Sequence, residues 1–146
     1  MRKINYFLII LFLVFPDVNW GQNPYYYNID RTNGLPSNRV YDIFQDSKGF
    51  MWFATGKGLC RYDGTTFKTY TSDNQTSKSG SCISEDSFGR IWYCNFDGYL
   101  YYVENGELKS LPQKESRGYI KYSIIKDKLF LMQLNGVIVY DLKSLK

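Results

Sequence analysis

The sequence predicts an all-β fold made of a four-stranded antiparallel meander that is repeated about three times. Three observations predict it: short apolar runs separated by Gly, Asp and Asn, an internal repeat with a period near 40 residues, and the lack of helical periodicity over any helix-length window. The chain has 146 residues, 44% of them hydrophobic, so it can bury the core of one domain. Wholesale disorder is therefore excluded.

The internal repeat is the strongest of these signals. Residues 45–52, Gln-Asp-Ser-Lys-Gly-Phe-Met-Trp, recur at 85–92 as Glu-Asp-Ser-Phe-Gly-Arg-Ile-Trp, which is an offset of 40. Repetition at a fixed period of this length indicates a repeat architecture. The same offset relates Gly58 and Tyr62 to Gly98 and Tyr102, and a degenerate third copy places Phe130, Gly136 and Tyr140 38 residues after Trp92, Gly98 and Tyr102.

Each element of the first copy has a local reason. The apolar runs 39–45, 50–54, 59–62 and 66–70 are rich in β-branched and aromatic residues and predict four strands. Asp46 is expected to accept hydrogen bonds from the backbone of Ser47 and Lys48, while Gly49 takes the left-handed conformation of a three-residue hairpin loop. Further hairpin turns are predicted at Asp63-Gly64, Asp97-Gly98, Asn105-Gly106 and Asn135-Gly136.

A four-stranded unit with a period near 40 residues is typical of a β-propeller blade. Trp52 and Trp92 are then expected in the core between blades, not as ligand-stacking residues. Three blades form an incomplete ring, because propellers close with at least four, and such a ring leaves a blade face bare. Apolar residues are expected on both faces of the first blade: Ile43, Met51 and Phe53 on one, Phe44, Phe50 and Trp52 on the other.

The N-terminus predicts export. Arg2 and Lys3 precede an apolar run at residues 6–15, which is too short to span a bilayer and fits a signal peptide. Removing it leaves 16 basic and 13 acidic side chains, a net charge of +3 that is too mild to indicate nucleic acid as a partner. The predicted organisation is a signal peptide at 1–21, an N-terminal strand and lead-in at 22–38, blade 1 at 39–72, blade 2 at 79–111 and an incomplete blade 3 at 118–146.

The chain contains no histidine, which excludes Ser-His-Asp and Cys-His catalysis and histidine-ligated zinc. Its three cysteines lack C-x-x-C spacing, so no metal site and no cofactor are predicted. A tight hairpin at 86–90 would place Cys82 opposite Cys94, where a disulfide is sterically possible. The favoured alternative is that Cys60, Cys82 and Cys94 are buried thiols that act as small apolar residues.

Charged residues offer few candidates for a site, and no catalytic residue is predicted. Glu85-Asp86 and the pair Glu104 and Glu107 flank turns, where solvated surface is favoured over an acid–base pair. Lys57, Arg61 and Asp97 lie near second hairpin turns or inner strands and are the candidate ligand-binding residues, with surface charge as the favoured alternative.

Three segments together resemble a known family. They are 34–40, Gly-Leu-Pro-Ser-Asn-Arg-Val; 45–52; and 55–64, Thr-Gly-Lys-Gly-Leu-Cys-Arg-Tyr-Asp-Gly, followed by Phe67. This pattern resembles the opening blade of the two-component regulator propeller family, the periplasmic sensor regions of bacterial hybrid or LytTR-type sensor histidine kinases. The blade-signature positions, expected to be structural, are Asp46, Gly49, Trp52, Gly58, Tyr62, Asp63, Gly64, Asp86, Gly89, Trp92, Gly98, Tyr102, Gly136 and Tyr140.

The resemblance implies the N-terminal part of a periplasmic ligand-sensing propeller that carries out no catalysis itself. It implies an extracellular ligand, often a carbohydrate, and as partners the remaining blades and kinase modules of a parent chain that is a membrane-anchored dimer. Residues 25–29 would then supply the strand that closes the ring. The alternatives are an exported propeller that binds or processes glycan and a truncated, non-functional remnant.

Overall fold

A computed structural model describes residues 24–112, 121–133 and 136–146. The predicted signal peptide at 1–21 lies outside the described residues, as do Asn135 and the first three residues of the predicted third blade. Within the described ranges the chain forms eleven strands and one turn of 3₁₀ helix, Arg31–Asn33. The predicted all-β fold is confirmed.

The strands form three antiparallel sheets, each a meander of strands consecutive in sequence. The first sheet contains β1 (Val40–Gln45), β2 (Met51–Thr55), β3 (Gly58–Tyr62) and β4 (Phe67–Tyr70). The second contains β5 (Gly80–Glu85), β6 (Ile91–Asn95), β7 (Leu100–Glu104) and β8 (Glu107–Ser110). The third contains β9 (Tyr122–Ile125), β10 (Lys128–Gln133) and β11 (Gly136–Asp141), with β10 in its centre.

The three sheets stack face to face with the second sheet in the middle. One core joins Trp52, Leu59 and Tyr70 of the first sheet to side chains of the second sheet that include Ile91 and Tyr93. On the opposite side, a second core joins the second sheet to the third through Trp92, Leu100, Tyr102, Leu129 and Leu131. Every residue of β6 is buried, so the second sheet is covered on both faces, as expected of a propeller blade.

Each terminal sheet keeps one face without a neighbour among the described residues. In the first sheet, Phe44 pairs with Trp52 toward the second sheet, whereas Ile43 pairs with Phe53 on the opposite face and is 57% exposed. The predicted division of apolar residues between two faces is therefore confirmed. The first outer face consists of Ile43, Met51, Phe53, Tyr62 and Phe67, and the third outer face of Ile125, Phe130, Met132, Val137 and Val139.

The first hairpin turn differs slightly from its prediction. Asp46 Oδ1 accepts hydrogen bonds from the backbone N–H of Lys48, at 3.0 Å, and of Phe50, at 2.9 Å. Gly49 has φ +87°, the left-handed conformation expected there. The backbone N–H of Ser47 instead donates to Glu85 of the second sheet, so the predicted Asp46–Ser47 bond is wrong. The turn thereby contributes to sheet–sheet contact as well as to its own hairpin.

The constant offset of 40 does not extend to the third strand of each sheet. Trp52 lies opposite Arg61, whereas Trp92 lies opposite Tyr102, because the turn at 96–98 is one residue longer than the turn at 56–57. Tyr62 consequently lies opposite Met51 on the first outer face, while Tyr102 faces the third sheet. The two tyrosines match in sequence but not in structure.

A β-bulge separates the two cysteines that were predicted to face each other. The pairing of β5 with β6 shifts between Ser81 and Ser84, and Cys94 lies opposite Ser81. Cys82 lies inside the bulge with φ +59°. The predicted pairing of Cys82 with Cys94 is therefore wrong, since a bulge inserts a residue into one strand only. Cys60 and Cys94 are buried as predicted, and desolvation raises the pKa of Cys60 to about 12.

We expect Gly80→Ala to destabilise the chain more than Gly56→Ala. A Cβ at Gly80 would lie 2.1 Å from the carbonyl oxygen of Cys94 and 2.8 Å from the Cα of Asn95, so backbone must move. At Gly56 the nearest atom is the Ser37 hydroxyl at 3.2 Å, on a side chain that can rotate. Overpacking of this kind costs about 1–3 kcal/mol. Urea unfolding of both variants measures the difference, and equal midpoints would contradict the prediction.

Candidate functional site

The signature aspartate and tryptophan of the first sheet form one structural unit. Asp46 Oδ2 accepts a hydrogen bond of 2.7 Å from Trp52 Nε1, and both residues are buried. The other carboxylate oxygen accepts the turn amides of Lys48 and Phe50. The carboxylate therefore satisfies the indole N–H and holds the ring in the core, which leaves Trp52 no role in ligand stacking.

The second sheet repeats this unit and adds a buried ion pair. Asp86 Oδ2 accepts hydrogen bonds of 2.7 Å from Trp92 Nε1 and from Arg90 Nε. Arg90 is 6% exposed, and its Nη2 donates to the carbonyl oxygen of Leu142, which packs with the third sheet. Asp86 and Arg90 therefore tie the second sheet to the third.

Other acidic residues also join neighbouring sheets. Glu85 accepts from the backbone N–H and the hydroxyl of Ser47, both at 2.7 Å. Asp42 Oδ2 accepts from the N–H of Ile83 at 2.7 Å, and Asp127 Oδ1 accepts from the Ser87 hydroxyl at 2.8 Å. The interpretation of Glu85-Asp86 as a solvated turn is therefore wrong, because both carboxylates are held by hydrogen bonds between or within sheets.

Glu104, of the second predicted acidic pair, contacts the ammonium of Lys109 at 2.8 Å, whereas Glu107 is exposed at the start of β8. Asp63 accepts from the backbone N–H groups of Thr66 and Thr65, at 2.7 and 2.8 Å, and these bonds hold its pKa well below the usual range. The remaining signature residues shape turns or fill cores. Gly58, Gly64, Gly89, Gly98 and Gly136 lie at hairpin turns, Tyr102 is buried, and Tyr140 is half-buried.

The three candidate ligand-binding residues lie at two different ends of the stack. Lys57 lies in the turn between β2 and β3, and Asp97 lies in the equivalent turn between β6 and β7; both are exposed at the same end. We call this the Lys57 end. The Arg61 guanidinium points the other way and lies over the Phe50 ring, 4.3 Å from its centroid. The structure thus groups Lys57 with Asp97 and separates Arg61.

Arg61 lines a cavity of about 410 Å³ between the first and second sheets, at the end opposite Lys57. The carboxylates that line this cavity already have partners: Asp46 binds Trp52, Glu85 binds Ser47, and Glu104 binds Lys109. Arg61 Nε is buried and makes no hydrogen bond to any described residue. The cavity therefore presents a stacked cation, and its acidic groups serve the stack itself.

An exposed aromatic pair at the Lys57 end escaped the sequence analysis. The rings of Tyr41 and Phe96 meet edge to face, with centroids 4.8 Å apart and an interplanar angle of 85°. Tyr41 is 43% exposed and Phe96 is 38% exposed. Phe96 directly precedes Asp97 in a hairpin turn, where a polar residue is usual, and this was the available signal. The pair joins the first sheet to the second beside the candidate residues.

Backbone hydrogen bonds hold the turns at the Lys57 end in place. The N–H of Gly56 donates to the carbonyl oxygen of Arg39 at 2.9 Å, and the N–H of Phe96 donates to that of Ser79 at 3.0 Å. The Ser79 hydroxyl donates in turn to the carbonyl oxygen of Gly56 at 3.1 Å. These bonds join the two turns, so the aromatic pair and the two charges are presented by a fixed scaffold.

Within residues 24–112, 121–133 and 136–146, no group of three acidic or cysteine side chains is arranged to hold a metal ion. The same ranges contain no helix of sufficient length and apolarity to cross a membrane.

Comparison with known proteins places these features in a family. Residues 34–57 match the family model described as two component regulator propeller. Over 81 residues the chain is 36% identical to histidine kinase P4 of Formosa agariphila, an alignment that covers 54% of this chain and 6% of the kinase. The chain thus spans a small part of the length of this relative.

Solved structures share the fold. The extracellular domain of a hybrid two component system from B. thetaiotaomicron superposes with a TM-score of 0.68 at 21% identity, covering 82% of this chain and 17% of that chain. Virginiamycin B lyase from Staphylococcus aureus superposes with a TM-score of 0.54 at 16% identity, covering 74% of this chain and 43% of the lyase. The resemblance to two-component regulator propellers is thereby confirmed, and the chain carries a repeat of that family within a stack of β-propeller blades.

Proposed function

We propose that this chain is the N-terminal part of the periplasmic, ligand-sensing propeller of a two-component sensor histidine kinase. The match at residues 34–57 and the similarity to histidine kinase P4 support a place in such a sensor. The fold shared with an extracellular domain of a hybrid two component system supports a location outside the cytoplasm. On this proposal, the remaining blades and the kinase modules belong to the parent protein, which is anchored in the membrane as a dimer.

The observation that carries the ligand-sensing role is the aromatic pair at the Lys57 end. Tyr41 and Phe96 remain substantially exposed although most aromatic side chains of the second sheet are buried. Exposed aromatic rings beside a few fixed polar groups are typical of small-molecule sites, and Lys57 and Asp97 lie in the adjoining turns. The apolar face of a sugar ring can stack on such a pair while its hydroxyl groups bond to the charged side chains. We therefore propose a carbohydrate ligand.

Binding without catalysis is favoured for this segment. Its described carboxylates Asp46, Glu85 and Asp86 are committed to hydrogen bonds that hold the stack together. The chain has no histidine, whereas a histidine-to-alanine variant of the lyase with the same fold is catalytically inactive. An acid–base pair for glycan cleavage needs two carboxylates facing one cleft. The arrangement at the Lys57 end, with a lysine and an aspartate in its turns, offers one carboxylate beside the aromatic pair.

We expect Tyr41→Ala and Phe96→Ala each to weaken carbohydrate binding at least about tenfold, because each removes one ring of the stacking surface. Saturation-transfer NMR with maltose, cellobiose, xylobiose and digalacturonate identifies the binding sugar, and titration gives its dissociation constant. Phe88→Ala is the matched control, because Phe88 is 50% exposed but lies at the opposite end and lines the cavity.

The control variant should bind like the unmodified chain. Loss of binding in Phe88→Ala, with retention in Tyr41→Ala, would move the ligand to the Arg61 cavity and contradict the proposed site. No binding of any of the four sugars would contradict a carbohydrate ligand of this kind.

A further inference from the structure

The two uncovered sheet faces of the chain have opposite directions. In both internal contacts, the face that carries the signature tryptophan of one sheet packs against the opposite face of the next sheet. The first sheet uses its Trp52 face toward the second, which leaves its other face bare. The third sheet packs through Leu129 and Leu131, so its bare face is the one equivalent to the tryptophan face. The chain therefore presents one face of each kind.

We propose that a second copy of this chain covers these faces, head to tail. The third outer face of each copy packs on the first outer face of the other, which continues the sheet-to-sheet contact already present twice within the chain. Because both copies contribute three sheets, the pair forms a ring of six. Propellers of about four to eight blades are known, so six sheets suit closure.

The chemistry of the two faces is complementary. The first outer face is aromatic: the rings of Phe53 and Phe67 are 5.9 Å apart, and those of Tyr62 and Phe67 are stacked at 4.5 Å. The third outer face is mainly aliphatic, with Ile125, Met132 and Val137 each more than half exposed. Aromatic-on-aliphatic packing is also what joins the first two sheets, where Trp52 clusters with Ile91 and Val103. Apolar exposure on this scale marks an interaction surface.

The lead-in segment provides a second, independent point of fit. Residues 24–30 form no strand, and the Tyr27 hydroxyl neighbours that of Tyr62, beside the first outer face. The third sheet has β11 at its edge, with no strand beyond it among the described residues. Docking the first outer face of one copy on the third outer face of the other brings residues 25–29 near that edge, where they can add a fourth strand.

Two single-face variants test the head-to-tail arrangement. Ile43→Asp places a charge on the first outer face, and Val139→Asp places one on the third. Sedimentation velocity of the exported, purified chain should show a dimer, and each variant alone should be monomeric at the same concentration. An equimolar mixture should regain dimers, because the first outer face of Val139→Asp and the third outer face of Ile43→Asp remain intact. The mixed dimer has one intact contact and should dissociate at least about tenfold more readily.

Phe88→Asp is the control, since it places the same charge on an exposed aromatic residue outside both faces, and it should leave the dimer unchanged. Far-ultraviolet circular dichroism establishes that each variant is folded. A dimer that persists in either single-face variant would overturn the proposal in favour of a contact between like faces. A monomeric unmodified chain would also overturn it, and would assign the faces to sheets of another polypeptide segment.

Discussion

Replacing Trp92 with alanine is expected to cost about 3–5 kcal/mol of unfolding free energy. Trp92 has no exposed surface, and it packs in the core between the second and third sheets. Its removal also leaves Asp86 without its indole donor. A loss of this size is a large share of the roughly 5–15 kcal/mol that stabilises a typical domain. Urea unfolding followed by circular dichroism measures it.

The control for this prediction is Phe88→Ala, which removes an aromatic ring that is half exposed in the turn before Trp92. Surface substitutions of this kind usually change stability by less than about 0.5 kcal/mol. Similar losses in the two variants would show that Trp92 does not fill a core between sheets.

Asp86→Asn is expected to destabilise the chain by about 3–5 kcal/mol, although it changes side-chain shape very little. The substitution leaves the buried Arg90 guanidinium without the carboxylate that it contacts at 2.7 Å. Glu104 cannot replace that carboxylate well, because it lies 3.7 Å from Arg90 and is partly exposed. The measurement is again the free energy of unfolding in urea.

Asp46→Asn is the matched variant, because Asp46 bonds to Trp52 and to its turn amides as Asp86 does, but has no arginine partner. We expect a smaller loss, of about 1–3 kcal/mol, from weakened hydrogen bonds. The difference between the two variants measures the ion pair. Equal losses would show that Arg90 obtains no net stabilisation from Asp86.

The sequence was sufficient for the meander, its hairpin turns and the direction of the tryptophans. These features follow from local patterns: alternation along β1 and β2 sets the two faces, and Asp46 with Gly49 sets the turn between them. Burial of Trp52 and Trp92 followed from apolar residues on both faces, because only a sheet with neighbours on both sides can bury them.

The register of the third strands and of the Cys82 region could not be predicted in the same way. Register depends on turn length, and the three-residue turn at 96–98 shifts Tyr102 by one position relative to Tyr62. The bulge at Cys82 accompanies a hydrogen bond from the neighbouring Ile83 to Asp42 of another sheet. A contact between sheets is invisible in the local pattern of either strand.

The candidate site was predicted only in part. Lys57 and Asp97 were recognised as charges in equivalent turns, and they do lie at one end of the stack. Arg61 was grouped with them because it follows the same hairpin, but its side chain extends to the opposite end, over Phe50. The contact between Tyr41 and Phe96 joins two sheets, so no spacing along the chain encodes it.

The double coverage of the second sheet has a consequence for how the chain opens. In a stack where each layer touches only its neighbours, stability is approximately the sum of layer terms and contact terms, and the middle layer alone holds two contacts. Opening should begin at the terminal layers and reach β6 last, so the amide hydrogens of β6 should exchange with solvent most slowly. The same order makes the middle layer the part of the chain that resists proteolysis longest.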